Sequence, residues 1–237
     1  MKPNPTRSAL LLIDMENSFL DPRSSFCIRG AQATIPACIR ALDIARSKGI
    51  PVFFVKRVYR ADGSDVELSR YAAWKASGRF DGHACGPSAT GYNSTQHPLQ
   101  LSPQPGDYTI TKHRFSAFFQ TELDLILRRL DIRTVILAGT TTPNCIRTTC
   151  YDAISLEYNA VVLTDCCSSQ SEEIQVANLA DMQRVGAIMM DTISFAGYTP
   201  ESVRDLAAEI RAEMAESTTI PEPFDHGGRG DYWTDFW

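Results

Sequence analysis

Short apolar runs alternate with amphipathic stretches along most of the chain. Six runs are typical of strands, most of them continuously apolar as in strands buried on both faces, at Ser8–Ile13, 51–55, 107–111, 134–138, 160–163 and 187–190. Helical spacing predicts helices at 31–48, 66–75, 119–129, 144–156, 171–184 and 201–216. This succession predicts a three-layer α/β/α fold, in which a mainly parallel, Rossmann-like sheet carries helices on both faces.

Two stretches depart from this alternation. Residues 60–106 are polar and contain glycine and proline, and they are too long for a simple connection, so we expect functional loops over the sheet edge. Residues 218–237 end in Tyr232, Trp233, Phe236 and Trp237. We expect a single domain over 1–217, followed by an aromatic tail packed on a subunit surface.

Composition narrows the classes of function. The 237 residues are 43% hydrophobic, enough for one large core, and the net charge is −5 without a basic cluster. We therefore expect no nucleic-acid partner. No apolar run approaches the ~20 residues that span a bilayer, and no secretory signal is recognisable. Seven cysteines form no regular framework, which favours reduced thiols in a cytoplasmic protein without a membrane partner.

Cys145 follows a strand-like run and a turn of small residues, where a helix is predicted to begin. The partial positive charge of a helix start favours the thiolate, and its N–H groups can stabilise an oxyanion. Taken alone, a free cysteine is more often a small buried hydrophobe. The functional interpretation becomes stronger because Asp14 and Lys112 also lie at the ends of strand-like runs.

The carboxyl ends of parallel strands share one edge of the sheet, where ligands bind, so these three residues are predicted to meet in one cleft. Asp14 can accept the thiol proton and later return it. Lys112 can hold the thiolate and orient Asp14, while the backbone N–H groups of Thr141 and Cys145 form the oxyanion hole. Individually, an aspartate at a strand end often caps a turn and a lone lysine is usually solvated, so the prediction depends on their combination.

Three segments carry a family resemblance: Asp14-Met15-Glu16-Asn17-Ser18-Phe19, Lys112-His113-Arg114-Phe115-Ser116-Ala117-Phe118 and Gly139-Thr140-Thr141-Thr142-Pro143-Asn144-Cys145. With these three motifs in this order, the chain resembles the isochorismatase-like cysteine hydrolases over roughly Ser8 to Phe195. This family includes nicotinamidase, N-carbamoylsarcosine amidase and ureidoacrylate amidohydrolase. Glu16 and Ser18 stand where the family usually has Gln and Asp.

The resemblance implies a role for each motif residue. Asp14 is expected to be the general base and acid, Lys112 the thiolate partner and Cys145 the nucleophile. It also implies a non-proline cis peptide at Thr140–Thr141, which directs the Thr141 N–H into the oxyanion hole, and a homodimer or homotetramer.

Nicotinamidase-type members bind a metal through an Asp-x-His pair and a further histidine after the second strand. Residues 56–65 contain no histidine, and His83 and His97 lack the spacing, so we expect neither a catalytic metal nor another cofactor. Arginine suits capture of a carboxylate, and three arginines are expected at the cleft: Arg57, Arg60 and Arg114. They could instead be solvated or pair with nearby acids, Asp62, Asp65 or Glu67. Apolar walls could come from Tyr59, Trp74 and Phe118, for which core packing is the alternative.

The leading hypothesis is a cysteine amidohydrolase that cleaves a C–N bond of a small amide, carbamoyl or ureido compound through a thioester. A nicotinamidase-type enzyme is one alternative. An isochorismatase-type enzyme is another, although members with that chemistry lack the nucleophilic cysteine. A non-catalytic interaction protein of the same fold is the third.

Overall fold

A computed structural model describes residues 6–24, 26–60, 63–76 and 95–216, with the side chains of 73–75 excepted. Its centre is a six-stranded, wholly parallel sheet with the order β3-β2-β1-β4-β5-β6. The strands are β1 Ser8–Ile13, β2 Val52–Arg57, β3 Tyr108–Lys112, β4 Thr134–Thr140, β5 Asn159–Ser168 and β6 Ile188–Met190.

Helices cover both faces of the sheet, which confirms the predicted three-layer α/β/α fold. They are α1 Asn17–Leu20, α2 Ala31–Ser47, α3 Leu68–Ala76, α4 Leu123–Arg129, α5 Arg147–Ser155, α6 Glu172–Arg184, α7 Thr192–Ala196 and α8 Leu206–Glu216. Successive β1 side chains join opposite clusters, Leu11 with residues of α4 and α5 and Leu12 with residues of α2 and α7. This two-sided burial explains why β1 is apolar throughout.

The strand order reverses at β1, which pairs with β2 on one side and with β4 on the other. In doubly wound sheets the crevice at such a reversal is the usual ligand site. Gly139 of β4 lies against β1 there, with φ +120°, and a Cβ at this position would stand 2.0 Å from the Ile13 carbonyl oxygen. A glycine is therefore required where the two central strands end.

Four predicted boundaries differ from the structure by more than two residues, and one of them is the start of the last helix, at Leu206 instead of residue 201. Helix α4 begins at Leu123 instead of residue 119, and the Thr121 hydroxyl accepts the Leu123 N–H at 3.3 Å just before it. The helix predicted over 144–156 starts as a π-helical turn, Thr142–Ile146, before α5. Strand β5 extends to Ser168, five residues beyond the apolar run.

The chain divides into two compact units, residues up to Val203 and residues from Arg204 onward. Helix α8 falls in the second unit, and none of its side chains is buried. The aromatic tail at 218–237 lies outside the described residues. No helix in the described ranges is long and apolar enough to cross a membrane. All six described cysteines are free thiols.

Candidate active site

Four neighbouring strands bring the site together at their carboxyl ends. Arg57 and Lys112 are paired at the ends of β2 and β3. Ile13, the last residue of β1, is paired with both Val55 and Gly139, so Asp14 emerges between β2 and β4. The segment after β4 carries Cys145.

Asp14 and Lys112 form a buried ion pair, as the sequence predicts. Lys112 Nζ donates to Asp14 Oδ2 at 2.8 Å, and neither side chain is more than 1% exposed. Two backbone contacts hold the pair: Nζ also donates to the Arg114 carbonyl at 3.2 Å, and the Asp14 N–H donates to the Val55 carbonyl at 2.9 Å. Asp14 Oδ1 has no hydrogen-bond partner among the described residues, so one carboxylate oxygen remains available.

Cys145 lies in the π-helical turn and is only 4% exposed. The turn closes around it, because the Thr141 carbonyl accepts the N–H groups of Asn144 at 3.0 Å and Ile146 at 3.3 Å. The peptide bond between Thr140 and Thr141 is cis, at the position that the family resemblance implies.

The electrostatic surroundings of Cys145 affect the ionisation of its thiol. Burial, followed by the negative charge of Asp14, raises the pKa of the Cys145 thiol, although Lys112 and Arg57 oppose the shift. The expected preference for thiolate at the helix start is therefore opposed by burial and by the charge of Asp14. A neutral thiol attacks poorly, so this cysteine requires a proton acceptor.

Arg57 is the predicted arginine that reaches the nucleophile. Its Nη1 donates to Cys145 Sγ at 3.3 Å, and its Nη2 forms an ion pair with Glu67. Its Nε donates to the Tyr59 hydroxyl, which in turn donates to Glu67 at 2.7 Å. The guanidinium also lies over the Phe115 ring, 4.7 Å from its centroid. Burial alone would lower the pKa of Arg57, but the surrounding groups, Cys145 most strongly, raise it.

The side chains of the other predicted binding residues make different contacts. Arg60 is exposed, and Arg114 donates to the backbone carbonyls of Asp65 and His113. Phe118 belongs to the core and stacks on Tyr158, with ring centroids 5.8 Å apart. The side chain of Trp74 is outside the described part of the chain.

Glu16 is a site residue that we did not predict from the sequence. Its carboxyl group is fully buried, with Oε1 accepting the backbone N–H of Arg57 and Oε2 without a partner among the described residues. Burial, then the charge of Asp14, raises the pKa of Glu16 well above its usual value. The sequence signal that could have pointed to Glu16 is an acidic residue two positions after Asp14.

The chemistry of the donors suits a metal-free site. The end of β2, where nicotinamidase-type members hold their metal, carries the buried guanidinium of Arg57. A cation bound beside it would be repelled. The absence of a catalytic metal remains a prediction.

Comparison with known proteins gives a consistent result. Residues 8–194 match the family model described as the Isochorismatase domain. A probable inactive nicotinamidase of Arabidopsis thaliana is 36% identical over 182 residues, covering 76% of this chain and 89% of the relative. Ureidoacrylate amidohydrolase RutB of Azorhizobium caulinodans is 29% identical, covering 70% and 78% respectively.

Solved structures show the same similarity. An isochorismatase family protein from Desulfovibrio vulgaris is 37% identical with a TM-score of 0.73, covering 80% of this chain and 96% of that chain. N-carbamoylsarcosine amidase from Thermoplasma acidophilum is 25% identical with a TM-score of 0.62, covering 78% and 96%.

Proposed function

The chain belongs to the isochorismatase family of hydrolases, and from this premise we propose that it is a cysteine amidohydrolase acting on small amide, carbamoyl or ureido compounds. The observation that carries the proposal is the buried Asp14–Lys112 pair beside a buried thiol. The names of two relatives, ureidoacrylate amidohydrolase and N-carbamoylsarcosine amidase, support this substrate class.

In the first half-reaction, Asp14 accepts the thiol proton as Cys145 Sγ attacks the substrate carbonyl carbon. This fits a thiol with a raised pKa, because the proton leaves only as the S–C bond forms. The N–H groups of Thr141 and Cys145 stabilise the oxyanion. The C–N bond then breaks, Asp14 returns the proton to the leaving nitrogen, and a thioester remains.

In the second half-reaction, water attacks the thioester carbonyl while Asp14 accepts a proton from it. The S–C bond breaks, and the sulfur receives that proton from Asp14, which restores the thiol. Lys112 keeps Asp14 oriented through both steps, by means of the 2.8 Å ion pair. Arg57 Nη1, beside Sγ, offers a donor to a polar or anionic group of the substrate.

A screen of primary amides, carbamoyl amino acids and ureido acids for ammonia or amine release tests the proposal. We expect at least one compound to be hydrolysed, and mass spectrometry of the quenched reaction to locate the acyl group on Cys145. Cys145→Ala should abolish turnover. Cys150→Ala, which changes another buried cysteine on α5, is the matched control and should retain it. Turnover that survives in Cys145→Ala contradicts the mechanism.

A further inference from the structure

Glu16 is a second carboxyl group within the buried site. Its Oε1 accepts the backbone N–H of Arg57, so it connects the turn after β1 to the end of β2. The charged groups that act on it come from three strands: Asp14 after β1, Lys56 on β2 and Lys112 on β3. Nearby, His97 Nδ1 contacts the Met15 carbonyl oxygen at 2.8 Å.

The other buried charges are already balanced without Glu16. Asp14 is paired with Lys112, and Glu67 is paired with Arg57. An ionised Glu16 would add a negative charge without a side-chain partner, beside Asp14 and close to the thiol that must lose its proton. Like charges in a buried site disfavour ionisation of each other.

We propose that Glu16 is a positioning residue that works as a neutral carboxylic acid, and that its ionisation at alkaline pH suppresses thiolate formation at Cys145. The neutral acid keeps one oxygen as the acceptor for the Arg57 N–H. The ionised form retains that contact but opposes the negative charge that develops on sulfur. The second part of this inference rests on the proposed function of Cys145.

The first test compares the thermal stability of the wild type with that of Glu16→Gln, a neutral analogue of the same shape. In the unfolded chain Glu16 ionises near its ordinary pKa of 4.5, whereas burial in the folded protein raises that pKa. Folding therefore opposes ionisation of Glu16, and the contribution of this residue to wild-type stability falls as pH rises above that value. We expect the Tm advantage of Glu16→Gln to grow with rising pH. A pH-independent difference overturns the proposal.

The second test measures the rate of Cys145 alkylation by iodoacetamide, read from the Cys145 peptide, from about pH 5 to about pH 10. We expect equal rates for wild type and Glu16→Gln at the acid end, and about tenfold faster labelling of the variant at the alkaline end. Parallel profiles overturn the inference.

If Glu16→Gln does not fold, infrared spectra of the wild type replace it: a protonated buried carboxyl band that persists at neutral pH supports the proposal, and its absence overturns it.

Glu67→Gln is the matched control, because Glu67 is a carboxylate whose pKa is lowered by Arg57 against the effect of burial. Removing the negative charge of Glu67 should speed Cys145 labelling at neutral pH, whereas the Glu16→Gln substitution should not. Neither test requires substrate turnover, so a failed amide screen and a failed Glu16 inference are distinguishable. If Glu67→Gln has the same profile as Glu16→Gln, the assignment of the alkaline effect to Glu16 is wrong.

Discussion

The buried contact between Asp14 and Lys112 is one that can fix the position of a functional group while adding little net stability. Removing two charges from water is costly, and their attraction repays that cost only when both partners are present. Here the pair is fully enclosed and also held by backbone groups at the ends of two strands. The main effect of the ion pair is therefore to fix the position of the Asp14 carboxylate.

Lys112→Met should consequently destabilise the protein by about 3–5 kcal/mol, because it leaves a buried carboxylate uncompensated, and should abolish hydrolysis. The double variant Asp14→Asn, Lys112→Met should regain part of the stability without regaining activity. Urea denaturation measures both. Arg128→Met, which removes an exposed pair with Asp124, is the control and should have a much smaller effect. A stable Lys112→Met protein would show that Asp14 does not depend on the ion pair.

The sequence identifies Asp14, Lys112 and Cys145 because each comes directly after a strand-like run or a short turn that follows one. It does not identify Glu16 as buried, since a glutamate in a turn is usually solvated and no periodicity shows otherwise. The sequence also does not show whether Arg57 is buried, for the same reason. The sequence offers two alternatives for Arg57, pairing with a nearby acid or reaching the cleft. In the folded protein one guanidinium does both, because it pairs with Glu67 and also contacts Cys145.

The end of β4 is the segment on which the site geometry depends most. Gly139 allows the close approach to Ile13, and the cis peptide and π-helical turn follow within three residues. Pairing of β4 with β5 shifts register at the same place, between Leu137 and Gly139. Asp14 and Cys145 are thus positioned by one short contact between two strands.

Gly139→Ala should cost about 4 kcal/mol or more, because a Cβ would overlap the Ile13 backbone and the variant must also adopt a positive φ. Gly49→Ala is the control: Gly49 has φ +68° but nothing within 4 Å of its Cβ position, so about 1–2 kcal/mol is expected. Thermal denaturation of both variants measures the difference. Equal losses would mean that β1 and β4 can separate at this point without cost.

Strands and long helices are predictable here because burial imposes a period on their sequences. The start of α4, the π-helical turn and the extension of β5 are not, because they depend on local hydrogen bonds and on pairing with distant segments. Thr164 and Asp165 end the apolar run in the sequence, yet the strand continues through Cys166 and Cys167 alongside β4.

The unit that ends at Val203 contains every residue assigned to the site. The side chains proposed to be catalytic come from the ends of β1 and β3 and the turn after β4, whereas β5 and β6 extend the sheet on the side away from β2 and β3. The folded scaffold is therefore larger than the part that carries the proposed chemistry.

A chain truncated after Val203 should keep Cys145 alkylation and substrate hydrolysis close to those of the full chain, because every residue assigned to the site precedes that point. Light scattering on both forms tests whether residues 204–237 carry subunit association, as we expect from the aromatic tail. Loss of hydrolysis with an unchanged Tm would mean that the C-terminal unit contributes to the site.

Enclosure of the sulfur atom has a consequence for selectivity before any bond is made. With only 4% of Cys145 accessible, we expect small compounds to reach Sγ more readily than the amide groups of a folded protein. We therefore expect access to the sulfur atom to select among compounds before their reactivity does.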